Sequence, residues 1–174
     1  MIAALAVLVA AGIAPPSQLP TWPAQQGPWL EVSAGPALLH QTGTHGFGTE
    51  PMVRLGLGKA LNDYAAAEVW LSGAMQSAPL SSPGDAAVAA GGLGGRLRIL
   101  SFGDQGKLAV WGHAGAGWQV IAAGDARSGP AGFAGAQLLF QPFVRRFAVG
   151  FEMDALAARG AVGFALLPSL RCAL

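Results

Sequence analysis

Apolar side chains recur at every second residue along most of this chain, with Gly, Ala and nearly all of the charge at the alternate positions. In residues 146–155, Phe147, Val149 and Phe151 share one parity, and Glu152 and Asp154 share the other. A period of two is the side-chain repeat of a β-strand. A water-soluble β-protein would carry many Lys, Glu, Thr and Ser on its outer face, whereas this sequence is 52% hydrophobic and only 11% charged. The pattern therefore predicts a barrel whose outer face contacts lipid and whose interior is polar.

Eight alternating segments follow one another, and the connections between them indicate hairpins. The segments are 29–39, 52–61, 64–75, 89–100, 108–121, 133–141, 146–155 and 161–174. Short links are predicted at Asn62-Asp63, 101–107 and 142–146, and longer Gly/Ser/Pro-rich connections at 40–51, 76–88 and 122–132. The last link, near Arg159-Gly160, is also short. We therefore predict an all-β fold, an eight-stranded antiparallel transmembrane β-barrel with up-and-down topology, over residues 29–174.

The N-terminal segment differs in composition from the rest of the chain. Residues 1–14 are continuously apolar but too few to cross a bilayer as a helix. They have the character of the apolar core of a signal peptide, with cleavage predicted within residues 10–24, although no Lys or Arg precedes Arg54. A short hydrophobic anchor is the alternative. Residues 15–28 contain five prolines and are predicted to form an extended N-terminal extension.

Charged side chains at the alternate positions, which are predicted to point into the barrel, form the main candidate site. We call this site the lumen charge network. Its charged side chains are Glu31, Arg54, Glu68, Arg96, Arg98, Glu152, Asp154 and Arg171, with His113 at the same parity. Four arginines and four acids predict mutual neutralisation, because an unpaired buried charge costs several kcal/mol. In a narrow eight-stranded barrel these side chains would form a plug. The alternative is an ion path. Inward glycines would make room for the long side chains or leave small wet cavities.

Aromatic and histidine side chains give the remaining candidates. Trp118 and Phe140 have the outward parity and Trp29 lies near a strand end, so all three are predicted to join the interfacial aromatic girdle. His40 and His45 flank the first long connection but make a poor metal site, having only Glu50 nearby. The single cysteine, Cys172, excludes an intrachain disulfide and a cysteine-based metal cluster. We expect no cofactor and no metal.

On these features, residues 29–174 resemble the small eight-stranded outer-membrane β-barrel proteins of bacteria with two membranes. The resemblance is architectural, and no signature motif identifies a subfamily. It implies an exported protein in the bacterial outer membrane, in contact with outer-membrane lipid. Members of this class commonly end in an aromatic residue, whereas this chain ends in Arg171-Cys172-Ala173-Leu174.

Function is predicted only in broad terms. A net charge of +1 and the absence of a Lys/Arg cluster argue against nucleic acid as a partner. The preferred hypothesis is a non-enzymatic barrel that serves as a structural, anchoring or partner-interaction component, through its loops, its lipid-facing wall or another envelope protein. A narrow channel for small solutes is the first alternative. A lipid-modifying enzyme is the second, and it would use His40 or His45 with Ser81, Ser82 or Asp85. A soluble lipocalin-like binder conflicts with the apolar outer face.

Overall fold

The chain forms a closed barrel of eight antiparallel strands. A computed structural model describes residues 27–41, 47–76, 86–102, 107–122, 127–141 and 146–174. The strands are β1 (Pro28–Gln41), β2 (Phe47–Ala60), β3 (Ala65–Gln76), β4 (Ala86–Phe102), β5 (Leu108–Ala122), β6 (Arg127–Phe140), β7 (Phe147–Ala158) and β8 (Ala161–Ala173). Each strand pairs with the next, and β8 pairs with β1. The predicted up-and-down barrel is confirmed. The predicted signal peptide and most of the proline-rich extension lie outside the described residues and stay predictions.

The connections differ in length from those predicted. The link between β2 and β3 has four residues, 61–64, rather than the two predicted at Asn62-Asp63. Asn62 Oδ1 accepts the backbone N–H groups of Tyr64 and Ala65, each at 2.8 Å, and this side-chain contact closes a wider turn. The link at Arg159-Gly160 is as short as predicted, and Gly160 adopts the positive φ of 80° that such a tight turn requires.

The strands also extend further into the long connections than the sequence indicated. Residues 40–51, 76–88 and 122–132 were predicted to be loops, yet β2 begins at Phe47, β4 at Ala86 and β6 at Arg127. These extensions contain Gly, Pro and Ala, which are weak strand formers in isolation. Ladder pairing to a neighbouring strand overrides that weak preference, as at Gly129, which pairs with Gln119.

The connections 42–46, 77–85 and 123–126 therefore have five, nine and four residues, against four, five and six for 61–64, 103–107 and 141–146, so the predicted contrast in length is wrong except at 77–85. We keep the name long connections for the first three and the name short links for the other three.

Two local irregularities interrupt the ladders. A β-bulge at Ile99 shifts the register between Arg98 and Leu100, so Leu100 faces outward although Arg98 faces the lumen. At the seam between β1 and β8, no ladder pair joins residues 34–36 of the described chain to the opposite strand. Pro36 and Pro168 lie in this stretch and lack the N–H groups that a ladder needs.

The outer wall is apolar over the whole barrel. Large hydrophobic side chains with more than two-fifths of their surface exposed come from every strand; examples are Leu30, Leu55, Leu71, Leu97, Trp118, Leu138, Phe151 and Phe164. An apolar outer surface of this extent is what a lipid-facing barrel presents. Among the described residues, no helix is long and apolar enough to cross a membrane.

The lumen is layered along the barrel axis. At the end that carries the long connections, Ala37, Met52, Ala165 and Leu167 form a buried apolar cluster. At the other end, which carries the short links, Ala109, Trp111, Leu139 and Ala148 form a second one. Most of the buried charged and polar side chains lie between these clusters, whereas Glu50 is buried toward the first end and Arg98 and Gln141 toward the second. This layering places the candidate site at mid-height, between two apolar layers.

Candidate functional site

Inward side chains from all eight strands meet at mid-height in the lumen. The alternation of the strands directs them inward, and closure of the barrel brings residues distant in sequence into contact. The contributors are Glu31 and Ser33 from β1, Arg54 from β2, Glu68 from β3, Arg96 from β4, His113 from β5, Gln137 from β6, Glu152 and Asp154 from β7, and Ser169 and Arg171 from β8. All of them are buried. We call this set the lumen network.

One half of the lumen network joins two arginines to two glutamates. Arg96 contacts Glu31 Oε1 through Nη2 at 2.5 Å and Glu68 Oε2 through Nε at 2.6 Å. Arg171 Nε contacts the other oxygen of Glu31 at 2.8 Å. Each guanidinium therefore has at least one carboxylate partner, as the desolvation of buried charges requires.

The other half joins Arg54 to both acids of β7. Arg54 pairs with Glu152, and its Nη1 lies 2.6 Å from Asp154 Oδ2. His113 Nε2 lies 2.7 Å from Asp154 Oδ1. The hydroxyl of Ser33 donates to Glu152 Oε1 at 2.9 Å. Both β7 acids thus receive contacts from side chains on other strands.

Gln137 connects the two halves. Its Oε1 accepts from Arg96 at 2.6 Å and from Arg171 at 2.9 Å. Its Nε2 lies within donating distance of Glu31 at 3.0 Å, Glu152 at 2.9 Å and the Ser169 hydroxyl at 3.0 Å. Because an amide has two N–H protons, three acceptors share two donors here. A single neutral side chain therefore makes the charged groups one continuous network.

Trp29 lies inside the barrel, and its prediction as an interfacial aromatic is wrong. The side chain is 1% exposed, and the guanidinium carbons of Arg96 and Arg171 lie 4.8 and 4.4 Å from its ring centroid. Both distances suit cation–π attraction. A Cβ at Gly58 would overlap the indole, so the glycine on the neighbouring strand makes room for the ring. The position near a strand end suggested a girdle, whereas the inward parity of Trp29 places it in the lumen.

The remaining predicted site residues are distributed as follows. Trp118 and Phe140 face outward, 57% and 44% exposed. Arg98 is buried near the short-link end, with its guanidinium carbon 5.1 Å from the Tyr64 ring centroid and 5.9 Å from that of Trp111. The depth of Trp118 and Phe140 in a bilayer stays a prediction.

Of the two histidines that the enzyme alternative requires, only His40 lies within the described residues. His40 is half-buried near the end of β1. His45, Ser81, Ser82 and Asp85, which the enzyme alternative requires, lie outside the described residues.

One cluster of described residues has the composition of a metal site. Ligand atoms of His113, Glu152 and Asp154 all lie within 4.8 Å of one another. Arg54 pairs with both carboxylates of this group. Its guanidinium supplies the positive charge that a metal ion would otherwise bring, so we interpret the cluster as part of the ion-pair network.

Sequence reasoning did not identify Gln137, Ser33 and Ser169 as members of the network. Their inward parity was visible, but a neutral side chain gives no signal that it will bridge charges. The pairing of particular arginines with particular acids also depends on the relative heights of strands that are distant in sequence. Arg171 and Glu31, for instance, are brought opposite each other only by the closing pair of strands β1 and β8.

Comparison with known proteins gives results at the level of structure. No protein-family model matches the sequence, and no curated protein matches it significantly. Solved structures that share its architecture include the following three. Neisserial surface protein A aligns with a TM-score of 0.65 at 12% identity, over 86% of this chain and 98% of that one. Ail, the attachment invasion locus protein of Yersinia pestis, aligns with a TM-score of 0.56 at 16% identity, over 84% of this chain and 99% of that one.

The third is the N-terminal β-barrel domain of Pseudomonas aeruginosa OprF, with a TM-score of 0.52 at 15% identity, over 86% of this chain and 98% of that one. The chain has the fold of the small eight-stranded outer-membrane β-barrels. Each alignment covers nearly the whole of the known barrel, so the likeness concerns the complete architecture. The resemblance drawn from the alternating pattern is thereby confirmed at the level of fold.

Proposed function

We propose that the protein is an outer-membrane barrel with a non-enzymatic structural or interaction role, and that its lumen is a plug. The observation that carries this proposal is the lumen network. It takes at least one side chain from each of the eight strands, and an apolar cluster lies on either side of it. A conducting pore needs a continuous water path, and the buried ion pairs occupy the middle of that path. An anchoring role needs only a stable, closed wall.

The surface composition supports a role at the membrane. The outward face carries large apolar side chains on every strand. The structural neighbours of the protein include a surface protein and an attachment invasion locus protein. A partner would then contact the ends of the barrel or its outer wall. Membrane fractionation of a bacterial host tests the location, and recovery in the soluble or inner-membrane fraction contradicts it.

The end of the barrel that carries the long connections has charges of both signs. Ail was crystallised with a heparin analogue, sucrose octasulfate, and sulfate groups are bound by cationic side chains. In this chain, residues 42–46, 77–85 and 123–126 contain two aspartates and neither Lys nor Arg, but Arg127 begins β6 and Arg159 lies in the β7–β8 turn at the same end. We therefore propose a partner without a high net charge for this end of the barrel, such as another envelope protein.

A narrow channel is the second candidate function, and conductance decides between plug and pore. We expect the purified barrel to give no steady single-channel current in planar bilayers, because paired charges fill its mid-section. Glu68→Gln is the informative variant, since Glu68 contacts Arg96 at 2.6 Å inside the barrel. A steady current in the wild type, with an ion selectivity that changes in Glu68→Gln, would contradict the plug and support a pore.

A further inference from the structure

The lumen contains a cavity at the end that carries the long connections. Its volume is about 90 Å³. Its walls include Leu39, Met52, Trp70, Val88, Ile121 and Phe133. Among the described residues that line it, Arg54 is the charged one, and neither Arg96 nor Arg171 belongs to the lining. We call it the loop-end cavity.

The loop-end cavity is apolar, which is unusual inside a barrel of this class. The interior of an outer-membrane barrel is ordinarily polar. Here the described wall residues are aliphatic or aromatic except for Arg54, Ser72 and Gln119. An apolar cavity does not hold water well, because a buried water needs two to four polar partners. Wall atoms facing empty space also lose dispersion contacts. Both effects favour an apolar occupant.

The size of the cavity limits that occupant. An apolar cavity of about 150 Å³ takes up benzene or xenon. A volume of about 90 Å³ is smaller and suits roughly three or four carbon atoms of a chain. Leu39, Ile121 and Ala158 lie on its wall within a few residues of their strand ends. A longer molecule can therefore place one end in the cavity and the remainder toward the long connections.

Charge determines which end of an amphiphile can enter the cavity. Arg54 pairs with both Glu152 and Asp154, so its positive charge is already neutralised. A carboxylate brought to this floor would meet two carboxylates and one guanidinium, and a buried charge without a partner is strongly unfavourable. The hydrocarbon end avoids that cost, so it enters the cavity while the polar end stays toward the long connections.

We propose that the loop-end cavity binds the hydrocarbon end of a single-chain amphiphile, of the class of medium-chain alcohols and esters, with the polar end toward the long connections. This is a binding function beyond anchoring, and it does not require the lumen to conduct. It uses the apolar layer at one end of the barrel and leaves the lumen network intact.

Methionine methyl groups supply a direct test. Met52 lines the cavity and is 8% exposed, whereas Met75 and Met153 face lipid and are 54% and 57% exposed. The barrel, labelled with ¹³C at the methionine methyls and placed in phosphatidylcholine nanodiscs, is titrated with 1-hexanol. We expect a saturable chemical-shift change at Met52. Met75 and Met153 report partition of hexanol into lipid and should change only linearly.

Disodium hexanedioate at pH 8 tests this orientation with the same chain length. We expect its affinity to be at least about tenfold lower than that of 1-hexanol, because either of its ends would bring an ionised and unpaired carboxylate to the cavity floor. Equal binding of hexanol and hexanedioate overturns the entry of the hydrocarbon end. A linear shift at Met52 that parallels Met75 and Met153 overturns the site itself.

Three variants separate binding from folding. Ala90→Leu places a larger side chain in the cavity and should weaken hexanol binding at least about tenfold. Leu156→Ala enlarges the cavity and should strengthen binding. Ala114→Leu makes the same change as Ala90→Leu on the exposed outer wall and should leave binding unchanged. A heat-dependent shift in gel mobility checks that each variant is folded. Unaltered binding in folded Ala90→Leu contradicts the assignment, as does unaltered binding in folded Leu156→Ala.

Discussion

Arg96→Met is expected to lower the free energy of unfolding by about 3–5 kcal/mol, the cost of breaking a buried ion pair by removing one partner. Arg96 is 2% exposed and contacts Glu31, Glu68 and Gln137, which lie on three other strands. Its loss leaves a buried carboxylate at Glu68 without this guanidinium. Glu31 retains Arg171 at 2.8 Å. The measurement is urea unfolding in phospholipid vesicles, followed by tryptophan fluorescence.

The double variant Arg96→Met/Glu68→Gln distinguishes a buried ion pair from simple packing. Glu68→Gln removes the uncompensated charge and keeps the shape, so the double variant should recover at least about 1 kcal/mol relative to Arg96→Met. Arg159→Met is the matched control, because Arg159 is exposed at the β7–β8 turn and should change stability by no more than about 0.5 kcal/mol. If the double variant is no more stable than Arg96→Met, the pairing of charges does not stabilise this lumen.

The fold could be predicted because one physical signal repeats along the whole chain. Period two assigns a face to each residue, and a barrel uses that face in the same way in every strand. Strand ends were harder to predict, because the ends of β4 and β6 contain Gly, Pro and Ala that pair only because a neighbouring strand is present. The bulge at Ile99 was not predicted either, since one extra residue changes parity without changing composition.

The candidate site could be predicted in its members but not in its geometry. The alternation is a property of one strand, and it correctly predicts that Arg96 faces the lumen and that Leu97 faces outward. Contact between Arg54 and Asp154 depends on the height at which β2 and β7 face each other across the lumen, and no local pattern encodes that height. Trp29 shows the limit of positional rules. Its place near a strand end suggested the interface, yet two guanidinium groups and the space at Gly58 hold it inside.

Leu55→Arg is expected to destabilise the barrel by about 2–4 kcal/mol in lipid, the cost of a cationic side chain at the bilayer midplane. Leu55 faces outward near the middle of β2, between Val32 of β1 and Leu71 of β3. A guanidinium at this position is surrounded by apolar side chains and hydrocarbon. Unfolding in phospholipid vesicles measures the loss, and Leu97→Arg and Phe151→Arg should behave in the same way on β4 and β7.

Leu61→Arg tests whether depth, rather than the substitution itself, causes the effect of Leu55→Arg. Leu61 is exposed in the short link after β2, where an arginine reaches the interface, so the cost should fall to about 0–1 kcal/mol. The same substitution then differs only in its distance from the bilayer centre. Equal costs at the two positions contradict a membrane-spanning orientation of β2, and a silent Leu55→Arg contradicts the outward assignment of this face. A large cost at Leu55 with a small one at Leu61 supports a barrel whose apolar wall, rather than its lumen, meets hydrocarbon.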